Sequence, residues 1–541
     1  MSFSRTCIGE DGRFVVGIHR PEFEVKNLRP NKYISSLGRL DDGTIIDNKI
    51  NFPDHDLYEP DADVIYEIAN PFPFRGTTYI NSQWADKKAG RPELIRIDPP
   101  LPCSMSENFR KFAEKQGIEV KDYGPVLDML PRQLLIALAQ ASTDPDELVL
   151  LAEKSCRILA DPVTGIPEGL GYRKDSKGKV VPEIFDHELF EVLVNNRYLP
   201  DSYKEVMVLR PGVQGSNEIT GEYTGPDGRA HVFEYLRRNS YIPWGHFAAN
   251  MANDAIRYSA GDLSFHDMKG IRHLYYQRAF VRTAAQLGID SGYGRCTLTE
   301  DQLEDLRLRI VEKLENRPEL EFNASLWGWN FGYGYAHSGH RLHASHQMIH
   351  QQNAMVPKKV ASSSEKQIPS FACGDLVADF IDEYRERTGK SFFDNYLEAI
   401  ENNMRTDGRD CGESSLVVKE DEHVILFAPK AQICEWELVL MCRRQCANIV
   451  RADIQMRNSL DAGILTAVKI LEAMGASMVT GIEFSGRFDS ENNGQHLMYS
   501  FIPRLPHAPD TFSEAQLRWI SGNYPEDFAH ACRLVLDDFS I

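Results

Sequence analysis

The densest chemistry in this sequence lies between Asn330 and His350, where five of its sixteen histidines fall: His337, His340, His343, His346 and His350. Histidine serves as a nucleophile or a general acid near neutral pH. Gly332, Gly334 and Gly339 let a backbone approach a ligand closely, and loops of this kind aim amide hydrogens at phosphate oxygens. Asn330, Ser338, Arg341, Ser345 and Gln347 add polar side chains. Arg341 can clamp a phosphate, and Gln347 can donate to a phosphoryl oxygen. Taken singly, His337 and His340 read as solvated loop residues and Arg341 as a surface ion-pair partner. Their concentration in one stretch is what points to chemistry on phosphate.

Strand geometry sorts these candidates. On an extended strand, residues 343, 345, 347 and 349 share one face and His346 turns to the other. His346 joins the first set only where a bulge shifts the register by one residue.

The elements that must hold this stretch can be read from hydrophobic period and turn signals. Residues 1–180 form an irregular region dense in turns, as in Asn70-Pro71-Phe72-Pro73-Phe74-Arg75-Gly76. Helical stretches follow around Leu130–Ala139 and Leu148–Cys156. From 181 the texture changes, and two segments share an order of strands, a long helix and a closing strand. The first, 181–357, has strands at 231–236 and 246–251, a helix at 267–287, and the histidine-rich strand near His343. A linker, 358–370, contains Ser362-Ser363-Ser364. The second, 371–541, has a hairpin of 415–419 with 423–427, a strand at 435–441, a helix at 459–474 and a last strand at 495–503. The expected fold is therefore α+β: duplicated units sharing an antiparallel sheet flanked by helices, with an N-terminal extension.

Asn330, Gly332, Ser338-Gly339, His343, Gln347, Met348-Ile349 and Met355-Val356-Pro357 fall in the order seen in one known active-site strand. The stretch resembles that of the galactose-1-phosphate uridylyltransferase-like branch of the histidine-triad (HIT) superfamily, whose motif is His-Pro-His-x-Gln. In the second unit, Lys419–His423 through Ala428-Pro429 to Trp436-Glu437 looks like the start of that family's second repeat. Gln495-His496-Leu497 to Phe501-Ile502-Pro503-Arg504 resembles its closing strand. The resemblance covers about 230–510 and leaves the first 180 residues unmatched.

The resemblance implies a nucleotidyl-histidine intermediate on the second motif histidine. That slot is held here by Ser345. The implied alternatives are a shifted nucleophile, His346, direct transfer without a covalent intermediate, or loss of catalysis. Of the family's zinc ligands only His343 is present, because no CxxC pair exists and Asn253-Asp254 stands where a histidine would. No metal and no other cofactor is expected. In the second unit Met498 stands where a further catalytic histidine would be, so Glu437 and His496 are expected to support the site. Glu437 is read equally well as a ligand-facing carboxylate or as a buried structural partner. The resemblance also implies a homodimer.

Composition bounds the rest. With 60 basic and 79 acidic residues the formal net charge is −19, and no basic block is present. Such a chain is a poor candidate for a nucleic-acid groove or an anionic membrane surface. No apolar run reaches the roughly 18–20 residues of a membrane span, and Met1–Cys7 lacks signal-peptide character, so a cytoplasmic location is expected. The ten scattered cysteines read as reduced, mostly buried thiols.

Three functions follow. The first is a nucleotidyltransferase or phosphorylase acting at the α-phosphate of a nucleotide-sugar or dinucleoside polyphosphate. In it His343, Ser345, His346 and Gln347 are catalytic, and Asn330, Gly332, Ser338, Gly339 and Arg341 bind the nucleotide and its phosphates. The alternative is a non-catalytic nucleotide-binding relative acting as a sensor or assembly partner, motivated by Ser345 and by the unmatched N-terminal region. The third is a metal-dependent hydrolase built on the histidine loop.

Overall fold

A computed structural model of the chain describes residues 5–28, 34–49, 51–52, 55–99, 101–119, 122–178, 180–196, 198–207, 263–290, 292, 298–316, 318–332, 350–476, 478–490, 494–505, 513 and 515–538. The strands expected at 231–236 and 246–251, and the segment 333–349, lie outside the described residues.

The first hundred residues contribute the strands β1 (Gly17–His19), β2 (Ile65–Ala69) and β3 (Thr77–Asn81). A helical region follows with α1 (Met105–Lys115), α2 (Arg132–Ala141), α3 (Pro145–Ser155) and α4 (His187–Asn195), which enclose a core of their own around Leu148, Leu151 and Phe190. Then come α5 (Phe265–Gln286), α6 (Glu300–Leu314), β4 (Phe322–Gly332) and β5 (His350–Pro357). The remainder supplies α7 (Asp375–Thr388), α8 (Phe392–Glu401), β6 (Val417–Glu420), β7 (Val424–Phe427) and β8 (Leu438–Cys442). It closes with α9 (Ile454–Ala473), β9 (Met478–Phe484), β10 (Met498–Arg504), β11 (Arg518–Ser521) and α10 (Pro525–Asp538).

Local chemistry sets the helix starts. Both α5 and α6 open on reciprocal capping boxes, Ser264 with Asp267 and Thr299 with Gln302, which satisfy orphan backbone N–H groups at the N-terminus of each helix. Asp453 caps α9 by accepting from the Met456 amide. The expected helix at 459–474 thus begins about one turn earlier than its apolar period shows, because a cap and not an apolar residue fixes its start.

Seven strands form one antiparallel sheet in the order β5-β4-β9-β10-β8-β7-β6. Strands β7 and β8 are apolar at every position because both of their faces are covered. Val424 and Leu426 of β7, with Leu438 and Leu440 of β8, pack on the side of α5, α6 and α9. Ile425, Phe427, Val439 and Met441 alternate to the other side, under α7, α8 and residues of the N-terminal strands. Gly463 permits this closeness, since a Cβ there would stand 2.6 Å from a Leu440 methyl.

The N-terminal strands enter the same architecture. β3 pairs in parallel with β11, so a second sheet, β1-β2-β3-β11, combines the two ends of the chain. Tyr66, Ile68 and Phe72 share a core with Phe380, Phe392 and Tyr396. The expected linker contains a short ribbon, Lys359–Ala361 paired with Gln367–Pro369. Among the described residues no helix is long and apolar enough to cross a membrane, nine cysteines are free thiols, and no cluster of three His, Cys, Asp or Glu fits a metal ion.

Candidate functional site

Asn330 and Gly332 lie at the end of β4. Asn330 stands opposite His350 of β5 on one side and Thr480 of β9 on the other, and Gly332 stands opposite Met478. Ser338, Gly339, Arg341, His343, Ser345, His346 and Gln347 lie outside the described residues. The strands on either side of that segment are hydrogen-bonded neighbours, so Gly332 and His350 are held at one end of the sheet.

Beneath β4 sits a buried knot of charge. Arg272 of α5 is fully buried and donates through Nε to Asp461 Oδ1 of α9 at 3.1 Å. Through Nη2 it donates to the hydroxyls of Tyr276 at 3.1 Å and Tyr499 at 2.7 Å. Tyr275 donates to Glu483 Oε1 of β9 at 2.6 Å, and Tyr276 donates to Asp461 at 2.7 Å. The guanidinium also lies against Trp327, 4.5 Å from its ring centroid, and against three tyrosine rings. Burial works against charge on Arg272, but the tyrosines, Asp461 and Glu483 outweigh it and hold its pKa above the usual value. Burial pushes the Asp461 carboxyl up to about 6 against the pull of Arg272, and it raises Glu483 as well. The knot ties α5 and α9 to β9 and β10, and through Trp327 and Ser325 to β4, the strand that leads into the histidine-rich segment. Arg272, Tyr275, Tyr499 and Glu483 are enclosed, while Tyr276 and Asp461 border a small crevice with Lys269, His273 and Arg457.

Glu437 and His496 occupy the other face. Glu437 is fully buried, and its Oε1 accepts from Arg75 Nη2 at 2.7 Å and from Ser500 Oγ at 2.6 Å. Its Oε2 accepts from the Ile433 amide at 2.8 Å, so both oxygens are engaged. Trp436, just before it, holds φ +66°, a region costly for a bulky residue. The strain falls where the chain must turn Glu437 inward. A narrow crevice beside the pair is lined by Asn70, Phe72, Arg75, Tyr396, Met498 and Ser500. It has room for about one water. His496 is buried, with Nδ1 2.7 Å from the Cys442 carbonyl and its ring stacked 4.5 Å from Phe393. Burial lowers its pKa and keeps the ring neutral.

Two arginines central to this geometry were not among the sequence candidates. Arg75 lies in the turn-rich Pro73-Phe74-Arg75-Gly76, where a lone cation between aromatic and glycine residues was the available signal. Gly76, at φ +94°, fixes that turn, since a Cβ there would meet the Leu517 carbonyl at 2.0 Å. Arg272 sits on the apolar stripe Met268, Ile271, Tyr275, Ala279, and a cation on such a stripe signals a buried carboxylate elsewhere in the chain.

No family model matches the sequence, and no curated protein does. Solved structures resemble it in part. The chain is similar to a GalT-like protein from Arabidopsis thaliana at 14% identity and a TM-score of 0.33, over 51% of this chain and 72% of that one. It is similar to an ADP-glucose phosphorylase from Arabidopsis thaliana with bound ADP-glucose at 16% identity and a TM-score of 0.30. That match covers 43% of this chain and 64% of the phosphorylase, less than two thirds of its length. A uridylyltransferase is similar at 13% identity and a TM-score of 0.32, over 44% of this chain and 69% of that one.

Proposed function

We propose that the chain is a nucleotidyltransferase or phosphorylase acting at the α-phosphate of a nucleotide-sugar or dinucleoside polyphosphate. The observation that carries this reading is the segment with His343, Ser345, His346 and Gln347, whose two ends belong to neighbouring strands, the first of them packed on the Arg272 knot through Trp327 and Ser325. In the proposed reaction the bond from the α-phosphorus to the bridging oxygen breaks as a nucleophile attacks in line. His343 protonates the departing oxygen, and Gln347 donates to a phosphate oxygen as charge develops. Asn330, Gly332, Ser338, Gly339 and Arg341 hold the nucleotide. The attacking atom belongs to His346 in a two-step reaction or to the incoming phosphate in a direct one. Ser345, at the position of the family's nucleophilic histidine, favours a second reading in which the nucleotide binds without turnover.

The fold supports a duplicated ancestry for this site. In each half a long helix precedes an antiparallel strand pair, α5 before β4–β5 and α9 before β9–β10, and the two inner strands, β4 and β9, pair with each other.

Incubation with nucleotide-sugars and dinucleoside polyphosphates, together with phosphate and hexose phosphates, tests the proposal by mass spectrometry. New nucleotide products that vanish in a folded His343→Ala variant are expected, and a nucleotide bound to the protein would mark His346 as nucleophile. Nucleotide binding without product would overturn catalysis in favour of the second reading.

A further inference from the structure

Three nested strand pairs carry the chain from Gly17 outward and back to Glu67. Gly17–His19 pairs with 65–67, Phe23–Val25 with Leu57–Glu59, and Ser36–Arg39 with Ile45–Asp47, all antiparallel. Together they form a two-stranded ribbon that starts at the β1 edge of the β1-β2-β3-β11 sheet.

Polar groups in the ribbon are served from within it. Asn48 is the one buried residue among those described from Glu22 to Pro60. It donates to the Ile34 carbonyl at 2.8 Å and accepts from Asn51 at 2.7 Å. The Asn27 amide donates to Asp56 at 2.7 Å, and Lys26 pairs with Asp56 at 3.2 Å. The apolar side chains have no such cover among the described residues. Leu28, Ile34, Leu37, Leu40 and Ile45 are 54–85% exposed, and six more large apolar residues from Phe23 to Tyr58 are exposed with them. Together they offer roughly 1,000 Å² of apolar surface, against about 800 Å² buried by each partner of a standard interface.

A lone two-stranded hairpin is marginally stable in water, and three or more strands with an apolar face are needed for stability. The ribbon therefore requires a cover. Its edges do not invite one. Pro21 and Pro60 lack an N–H, and Glu22, Glu24 and Lys26 charge one strand, devices that keep an edge from adding further strands. The faces are what remains.

We infer that two copies of this chain clasp each other through the ribbon. A second copy presents the same apolar faces, and two ribbons stacked about a two-fold axis supply the four strands and the buried face that one ribbon lacks. With each copy burying that surface, the total reaches roughly 2,000 Å², where the interfaces of permanently associated subunits begin. The ribbon lies in the part of the chain that the histidine-triad resemblance does not cover, and the inference is independent of the proposed transfer chemistry.

Sedimentation equilibrium of the full chain tests it, on wild type and on two variants, Leu37→Asp/Ile45→Asp and Val25→Asp. Wild type is expected at twice the chain mass at micromolar concentration. The double variant places two carboxylates per copy in the interface and should weaken the dimer at least a hundredfold, and Val25→Asp at least tenfold. All three side chains are exposed in the single chain, so circular dichroism should show an unchanged fold. The variants lie in different strand pairs, and a failure of one to fold leaves the other as the test. Amide exchange across residues 34–47 should be slow in the dimer and fast in the variants. Three results overturn the inference: a wild-type monomer at tens of micromolar, a dimer that both variants leave unchanged within threefold and that other residues therefore hold, or open-ended assemblies grown along the ribbon edges.

Discussion

Two arginine–carboxylate sites lie on opposite faces of the same sheet, and they differ in what surrounds the charge. Arg272 is sealed among Tyr275, Tyr276, Trp327 and Tyr499, with two carboxylates to satisfy and one nitrogen, Nη1, without a hydrogen-bond partner. Arg75 has a side chain 12% exposed, borders a crevice and serves one carboxylate, Glu437, with help from Ser500. A sealed arginine has no solvent to fall back on, although its partner Asp461 borders a small crevice of its own, whereas Arg75 itself opens onto one and can recruit water. The first site therefore acts as a brace and the second as an adjustable edge.

The largest expected effect comes from breaking the brace. Arg272→Met leaves Asp461 and Glu483 buried without their cation and should cost about 3–5 kcal/mol of stability in urea unfolding. A loss below about 1 kcal/mol would show that the knot is not a brace. The next effect is a pH dependence. Asp461 has a folded pKa of about 6 against 3.8 for the free group. A raised carboxyl pKa means that its stabilising contribution is complete below about pH 4 and is lost as pH rises through about 6. Wild type should therefore lose stability relative to Asp461→Asn across that window, and a constant difference would contradict the assignment.

At the crevice, Arg75→Met should cost less, about 2 kcal/mol, because water can reach the uncovered Glu437. Equal costs for Arg75→Met and Arg272→Met would erase the contrast between the two sites. Ser500→Ala should cost about 1 kcal/mol, one neutral donor to a carboxylate that keeps two others. Denaturant midpoints at one pH rank all three.

Much of the framework was legible in the residues. The apolar period placed α5 within two residues of its observed ends, because Ser264 and Asp267 mark its start and Gly288 follows its last turn. The runs around Val424–Phe427 and Leu438–Cys442 announced strands by being continuously apolar. The start of α9 was less legible, since the apolar period becomes clear only from about Ser459, more than a turn beyond the Asp453 cap. The histidine-rich segment stood out by composition, yet composition could not say that its flanking residues, Asn330 and His350, are opposite each other on paired strands.

The sequence by itself determined where α5 and the strands β7 and β8 form and which faces they bury, because caps and periodicity act over a few neighbouring residues. Only the tertiary structure decided the partners. Arg75 meets Glu437 across 362 positions, and Arg272 meets Asp461 across 189. A local pattern reports that a charge faces the core. Which opposite charge it finds there depends on how distant elements pack, and the cost of leaving either one unpaired makes that choice specific.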